Sequence, residues 1–310
     1  MKPGVYADVS NDSYHAGPGI SKSGLDLINR SPAHYWARYL DPNRKPQEPS
    51  PAMTDGTALH TAILEPDQFD ARYVVLDDHP ELKGTLRSAD DLRLACVDAG
   101  LKPARSLAGM REQLVEAGAK VRFYDDVVAQ LTNGRTPITQ EKRDLYMRCR
   151  DAVRAHPSAG WLLDAGKAEM SGYAQDPETG VLVRVRPDWV SDDGIMVDLK
   201  STQDARPWDF ARSAYSYRYH VQAAMYADVW TLASETALQG FVFVAFEKEP
   251  PFGVSVFIPD EEFITRGRLA YQRNLATYAR CVANDNWPGY PVEGQTLSLP
   301  AYAKAPPFKP

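Results

Sequence analysis

Between Val181 and Ser201 the chain reads VLVRVRPDWVSDDGIMVDLKS, apolar and polar positions alternating on either side of a short polar break. A period of two marks a strand, because successive side chains point to opposite faces. Val181, Val183, Val185, Pro187 and Trp189 share one face of a predicted first strand, and Leu182, Arg184, Arg186 and Asp188 the other. In a second strand Ile195, Val197 and Leu199 point one way, and Met196, Asp198 and Lys200 the other. Asp192-Asp193-Gly194 suits a three-residue hairpin loop with glycine in the left-handed position. That loop sets Ser191 opposite Ile195 and Asp188 opposite Asp198, with Lys200 two residues on. Like charges directly opposed in a sheet destabilise it. Unless exposed, the two carboxylates need a counter-ion, and a divalent cation with oxygen ligands is the obvious one. A solvated hairpin face with ordinary charges is the alternative. The flanking apolar runs favour burial, and so a metal site.

The remaining pattern predicts helices on both sides of this hairpin. Ser21 caps Lys22 to Asn29, and Ser31 caps a segment opening with Pro32. These form a small packed pair, or a basic, aromatic lip (Lys22, Arg30, His34, Arg38) facing a polyanion. Asn43 to Pro51 reads as a proline-rich linker. Thr54 is the predicted cap of DGTALHTAILEP, with Leu59, Ala62 and Ile63 as its buried stripe and His60 at the stripe's edge. A lone histidine there is an ordinary boundary residue unless other ligands join it. Residues 84–120 look like an insertion of two helices, one capped by Ser88 and ending at Gly100, the other ending at Gly118. A long amphipathic helix follows from Thr139 to Ala155. Ala168 to Gln175 is a predicted strand carrying Glu169, and Pro177 to Gly180 a turn. After the hairpin come a helical stretch from Trp208 and a second helix on which Gln222 and Tyr226, four apart, share a face. Phe241 to Phe246 and Gly253 to Ile258 read as interior strands. A helix from Asp260 to Ala283 and a proline-rich tail end the chain.

Composition changes this picture little. The chain has 310 residues, 44% apolar and 25% charged, enough for one large α/β domain. No apolar run is long enough to span a bilayer. Residues 1–30 lack a secretory pattern, and Cys96, Cys149 and Cys281 form no CxxC, so a cytoplasmic, reduced protein without a zinc or iron–sulfur site is expected. A net charge of −6 argues against a surface that coats DNA everywhere, but leaves room for one basic channel.

The ordered words YHAGPGISKSGLD (14–26), SPAHY (31–35), GTALHTAILEP (56–66), DPETG (176–180), RPD (186–188), DLKST (198–202), YRYHVQAAMY (217–226) and WPGY…LSLP carry a resemblance. The chain resembles the RecE-type exonucleases (exonuclease VIII) of phages and prophages, within the PD-(D/E)xK nuclease superfamily. D-x-K alone is a weak motif; the ordered set is specific, and only 84–120 departs from it. The resemblance implies a single α/β nuclease domain over 1–310, a central mixed β-sheet flanked by helices. It implies that Asp188 and Asp198 bind metal, with His60, Glu169 and the Leu199 carbonyl completing the shell. Lys200 would hold the attacking water, and Gln222 and Tyr226 would position the lysine or the DNA.

Those roles are chemically coherent. Phosphodiester hydrolysis needs an activated water and relief of charge on the transition state, which two cations about 3.5–4 Å apart supply. Oxygen ligands with one imidazole suit Mg²⁺, with Mn²⁺ as substitute, better than Zn²⁺. Lys200 beside two carboxylates should stay charged. Arg184 and Arg186, on the Asp188 face, could grip phosphates or pair with the acidic cluster; Tyr217, Tyr219, His220 and Lys22 are further candidates for DNA contact. By resemblance the enzyme would digest linear double-stranded DNA from its ends, 5′ to 3′ and processively, leaving a 3′ strand for a RecT-like annealing protein. A homo-oligomeric ring, a tetramer in the family, would encircle the DNA. Two rivals are a Cas4-like single-strand exonuclease, against which the missing cysteine cluster counts, and a non-catalytic scaffold that binds DNA ends.

Overall fold

Six apolar residues in a row, Phe241 to Phe246, must be covered on both faces if they form a strand. In the computed structural model, which describes residues 1–45 and 50–299, they do. Phe241, Phe243 and Ala245 face a core containing Met196, Val221, Met225 and Leu275. Val242, Val244 and Phe246 face a second core containing Leu59, Ile63, Tyr146 and Leu199. The layers are therefore helix, sheet, helix. Helices Pro207–Ser216, Tyr219–Ser234 and Glu261–Asn284 cover one face. Helices Pro51–Leu64 and Gln140–Ala155 cover the other.

In chain order the described strands are β1 (Gly4–Tyr6), β2 (Tyr73–Val75), β3 (Thr136–Ile138), β4 (Gly166–Ala168), β5 (Ser171–Gln175), β6 (Leu182–Val185), β7 (Trp189–Ser191), β8 (Ile195–Thr202), β9 (Gly240–Glu247) and β10 (Val254–Phe257). The main sheet runs β10-β9-β8-β7-β4. Only β8 and β9 are parallel within it, which leaves room for two helices in the crossover between them. A smaller antiparallel sheet runs β1-β5-β6, and β2 and β3 form a parallel pair. The mixed α/β architecture expected from the sequence is the one observed.

Several local expectations are corrected. The first strand of the organising hairpin is not continuous. It breaks at Arg186–Asp188, so that β6 belongs to the small sheet and β7 to the main one. Pro187 has no amide proton to continue a ladder, which is where such a switch is cheapest. The hairpin register nevertheless holds: Trp189 pairs with Val197 and Val190 with Met196, so Asp188 falls next to Asp198. The predicted strand through Glu169 is also two strands, β4 and β5, split at that residue. β10 is an edge strand rather than an interior one. The helix bearing His60 starts at Pro51, with Ser50 as its cap, four residues before the expected start. Pro51 at the first helical position starts the helix instead of ending the linker. Residues 46–49 of that linker, and the tail from 300, lie outside the described residues.

The insertion has its own small core of Leu92, Cys96, Met110, Leu114 and Phe123. The chain enters and leaves it through adjacent backbone, since Leu86 N donates to Arg122 O at 2.8 Å and Tyr124 N to Leu86 O at 3.0 Å. These contacts put the cut for an excision at 87–122, two to three residues C-terminal of the sequence estimate.

The close approach of the two helices behind β8 depends on one glycine. A Cβ at Gly267 would lie 1.9 Å from the His220 carbonyl oxygen. Gly267→Ala is expected to force the helices apart and cost about 1–3 kcal/mol. A thermal melt checks this, and an unchanged midpoint would contradict the packing.

Candidate metal centre and its lysine

The site lies where the two sheets part company. At the end of β4 the chain turns through Glu169, which has a left-handed backbone (φ 52°). That conformation is costly for a residue with a side chain, and it is held here by a hydrogen bond from Glu169 N to Asp188 O at 3.1 Å. The turn aims the Glu169 carboxylate at Asp188 instead of along a strand face. Helix Pro51–Leu64 brings His60 from the opposite layer. His60 Nδ1 is 3.4 Å from Asp188 Oδ1 and 3.9 Å from Glu169 Oε1. One ligand atom from each of His60, Glu169 and Asp188 lies within 4.8 Å of the others.

The helix that supplies His60 is pinned one turn upstream. Asp55 Oδ1 accepts from Lys142 Nζ at 2.6 Å and Tyr146 Oη at 2.7 Å, both on helix Gln140–Ala155. Burial alone would raise the Asp55 carboxyl's pKa. Lys142, Tyr146 and Lys248 outweigh it and hold the pKa below its ordinary value. A depressed carboxylate pKa gives stability that is present above the unfolded value, about 3.9, and lost as pH falls through the folded one. Asp55→Asn is therefore expected to lower the melting temperature at pH 7, by an amount worth about 1 kcal/mol. The gap should close on acidification below pH 4. A gap as large at pH 2.5 as at pH 7 would mean that the carboxylate's charge is not what pins the helix.

Asp198 and Lys200 are two apart on β8 and so share a face. Asp198 is fully buried, and the Lys200 ammonium and the Gln222 side-chain amide lie against its carboxylate. Its Oδ1 has the ammonium beside it but no hydrogen bond of good geometry. Burial pushes the Asp198 carboxyl up; Lys200 opposes this and Asp188 adds to it, leaving the pKa at about 6. Burial disfavours the charged Lys200 ammonium, but Asp198 and Asp188 outweigh it and raise its pKa. Asp188 behaves oppositely to Asp198. Burial pushes it up, yet His60, Lys200 and the Leu199 amide hold it below the usual range. At His60 burial would lower the pKa, but Asp188 and Glu169 overcome it and raise the imidazole to about 10.

The expected ligand set is thus only partly gathered. His60, Glu169 and Asp188 converge; Asp198 is next to them but committed to Lys200 and Gln222. Leu199 enters through its amide, which donates to Asp188 Oδ2 at 2.7 Å. Tyr219, Gln222 and Tyr226 lie at i, i+3 and i+7 on one helix and face the cluster together. The Tyr226 hydroxyl is held protonated by burial and by Tyr14 and the carboxylates of Asp198, Asp188 and Glu169. Two carboxylates and one imidazole without a thiol suit a hard divalent cation, and the buried Asp198 Oδ1 leaves one more oxygen short of a hydrogen bond. These residues fit a Mg²⁺ or Mn²⁺ ion.

Several candidate DNA contacts have other duties. Arg184 and Arg186 are 5% and 9% exposed, which corrects the idea of a phosphate grip. Arg184 donates to the carbonyls of His15 (3.1 Å) and Gly17, and Arg186 to Val9 O and Ser171 Oγ (both 2.6 Å). Both guanidiniums sit over the Tyr14 ring. They tie the N-terminal residues to β6, a role no local sequence pattern signals. Lys22 donates to the Tyr217 carbonyl at 2.9 Å and pairs with Asp26, so its ammonium is engaged. His220 is half-buried against Tyr215 and Phe263. The ring of Tyr219 covers the Lys200 ammonium at 4.7 Å. Tyr14 was not singled out from the sequence; its place in the word YHAGPG was its only signal.

A twisted mixed sheet between helices, with paired acidic residues and a lysine where its strands diverge, defines a PD-(D/E)xK-like fold. Residues 21–297 match the PDDEXK-like domain of unknown function (DUF3799), and the chain belongs to that family. Among solved structures, a candidate exonuclease from Eubacterium rectale matches with a TM-score of 0.53 at 13% identity, over 94% of this chain and 96% of that one. An alkaline exonuclease from Laribacter hongkongensis matches at TM-score 0.26 and 15% identity, over 65% of this chain and 92% of its own. A phage-related exonuclease from Haemophilus somnus matches at 0.28 and 13%, over 62% and 95%. No curated protein matches the chain. Among the described residues no helix is long and apolar enough to cross a membrane.

Proposed function

We propose that the protein is a metal-dependent exodeoxyribonuclease acting on the ends of linear double-stranded DNA. The observation that carries this reading is the meeting of His60, Glu169 and Asp188 beside a buried Asp198–Lys200 pair. A purely structural role would not set side by side two carboxylates of opposite behaviour, Asp198 pushed up by burial and by its neighbour, and Asp188 held down against burial by His60 and Lys200. Membership of a PDDEXK-like family supports the reading, as does the exonuclease description of the Eubacterium rectale protein that shares the fold.

His60, Glu169 and Asp188, with an oxygen of Asp198 and the Leu199 carbonyl, would hold Mg²⁺ or in its place Mn²⁺. A bound cation neutralises phosphate charge and lowers the pKa of a bound water. The chain's own groups do the rest. Lys200 is kept charged by the carboxylates, so it donates to and orients the attacking water rather than taking its proton. Gln222 donates to Asp198 and fixes that carboxylate's rotamer. Tyr219 covers the ammonium and keeps bulk water from one side of it. Tyr226, protonated, is a hydrogen-bond donor toward the acidic cluster or the phosphate.

The finer reading follows the RecE-type resemblance: 5′ to 3′ polarity, processive digestion, a 3′ strand passed to a RecT-like annealing protein, and a ring-shaped homo-oligomer, a tetramer, around the DNA. The test is a digest of linear duplex, nicked circle and single strand, end-labelled, with Mg²⁺ or EDTA. Loss of linear duplex alone, from the 5′ label and only with metal, is the expected result. Binding without loss would make the protein an end-binding scaffold. Excising 87–122 should leave the basal cleavage rate within about threefold, because that segment closes on its own core. A folded but inactive deletion would place the segment in the active machinery.

A further inference from the structure

From the Lys200 ammonium outward, aromatic rings form a stack that ends in solvent. The Tyr219 ring lies 4.7 Å from Nζ. Tyr217 stacks on Tyr219, their centroids 5.8 Å apart and their planes 21° from parallel. The Tyr217 ring is the outermost, and the residue is 65% exposed. A single exposed tyrosine needs no explanation, but this one is held in place. Lys22 donates to its carbonyl at 2.9 Å. Asp26 pairs with Lys22 at 2.8 Å and with Arg218 at 3.2 Å. Arg218 itself has left-handed backbone (φ 57°), which turns the chain sharply between helices Pro207–Ser216 and Tyr219–Ser234. Three charged side chains thus fix a corner whose tip is a bare aromatic face.

Beside that face is a cleft of about 220 Å³. Its polar wall is Ser201, Thr202, Gln203, Ser213 and Lys248, and no carboxylate lines it. That volume is below the range of a site for a whole drug-sized ligand. It suits a smaller unit with hydrogen-bonding groups and negative charge. A flat face, hydroxyl and amide donors, and one ammonium match one nucleotide.

We propose that Tyr217 is a stacking platform for an unpaired nucleobase of the substrate strand, and that the adjoining cleft takes that nucleotide's sugar and phosphate. The proposal rests on the nuclease reading and adds the form of the substrate. A base inside a duplex has both faces covered by its neighbours, so a base lying on Tyr217 is a terminal or unpaired one. In the proposed mode, with the sugar and phosphate turned into the cleft, that base leaves its partner: the duplex end frays as it enters, and a strand already unpaired at its end is the better substrate. Stacking on aromatic side chains tolerates any base, so the platform adds affinity without sequence preference.

The test uses the full chain and a short duplex whose terminal base is 2-aminopurine, in EDTA so that nothing is cleaved. The wild type should quench the probe on binding. Tyr217→Leu should lose the quenching and bind about tenfold more weakly; Tyr217→Phe should keep both. With Mg²⁺, Tyr217→Leu should raise KM about tenfold at nearly unchanged kcat, the mark of lost ground-state binding, and by at least as much for a substrate with an unpaired end. A Tyr217→Leu protein that quenches, binds and cleaves like the wild type overturns the platform and leaves the nuclease reading intact. A wild type that never cleaves, yet loses quenching through Tyr217→Leu alone, sinks the nuclease reading and upholds the platform.

Discussion

Asp188→Ala is expected to abolish metal binding and DNA cleavage together. Asp188 is the hub of the site. It lies 3.4 Å from His60, accepts from the Leu199 amide at 2.7 Å, and receives the Glu169 amide on its carbonyl. Loss of a partner outside the ligand shell already costs about 10–100-fold in metal affinity, so removing a ligand at the centre should cost more. The rate should fall to background. Asp188→Asn is the control for folding, because its amide oxygen can still accept from Leu199. It should retain native circular dichroism while remaining inactive. Calorimetric titration with Mn²⁺ reads the first effect and a timed digest the second. Cleavage by the alanine variant at a tenth of the wild-type rate would remove Asp188 from the ligand set.

Lys200→Met should separate the two properties. The substitution keeps the aliphatic stem and its packing on Tyr219 but deletes the charge. Removing a preorganised charged donor from a buried site costs about 10²–10³ in rate, and kcat should fall by that order. Mn²⁺ affinity should change far less, since the ammonium repels a cation instead of ligating it. Asp198 would lose its counter-charge and take up a proton more readily, for burial already pushes its pKa to about 6 with the lysine present. A methionine variant that no longer binds Mn²⁺ would mean that Lys200 organises the ligands rather than the water.

Local features of the site are legible in the sequence, and non-local ones are not. The pairing of Asp188 with Asp198 was readable because strand periodicity and a glycine-bearing turn are local and together determine the register; Trp189 does pair with Val197. The caps at Ser21 and Ser88 were readable for the same reason, being set by neighbours three residues away. What was not readable is non-local. Arg184 and Arg186 follow a strand's alternation, yet their guanidiniums are fixed by carbonyls of His15, Gly17 and Val9, more than 160 residues distant. No pattern within a strand can reveal that. Glu169 was placed on a strand because its neighbours are strand formers, whereas the turn that aims it is imposed by the Asp188 carbonyl from another element. The commitment of Asp198 to Lys200 and Gln222 needed the third dimension, although the i, i+2 and i, i+4 spacings that bring those residues there were visible.

On the proposed function, His60, Glu169 and Asp188 jointly hold a divalent cation. Diffraction from a crystal soaked in Mn²⁺, recorded for its anomalous signal, tests it most directly. A strong peak within coordinating distance of all three side chains is the predicted result. A protein that cleaves DNA with Mn²⁺ but shows its only peaks away from these residues would contradict it.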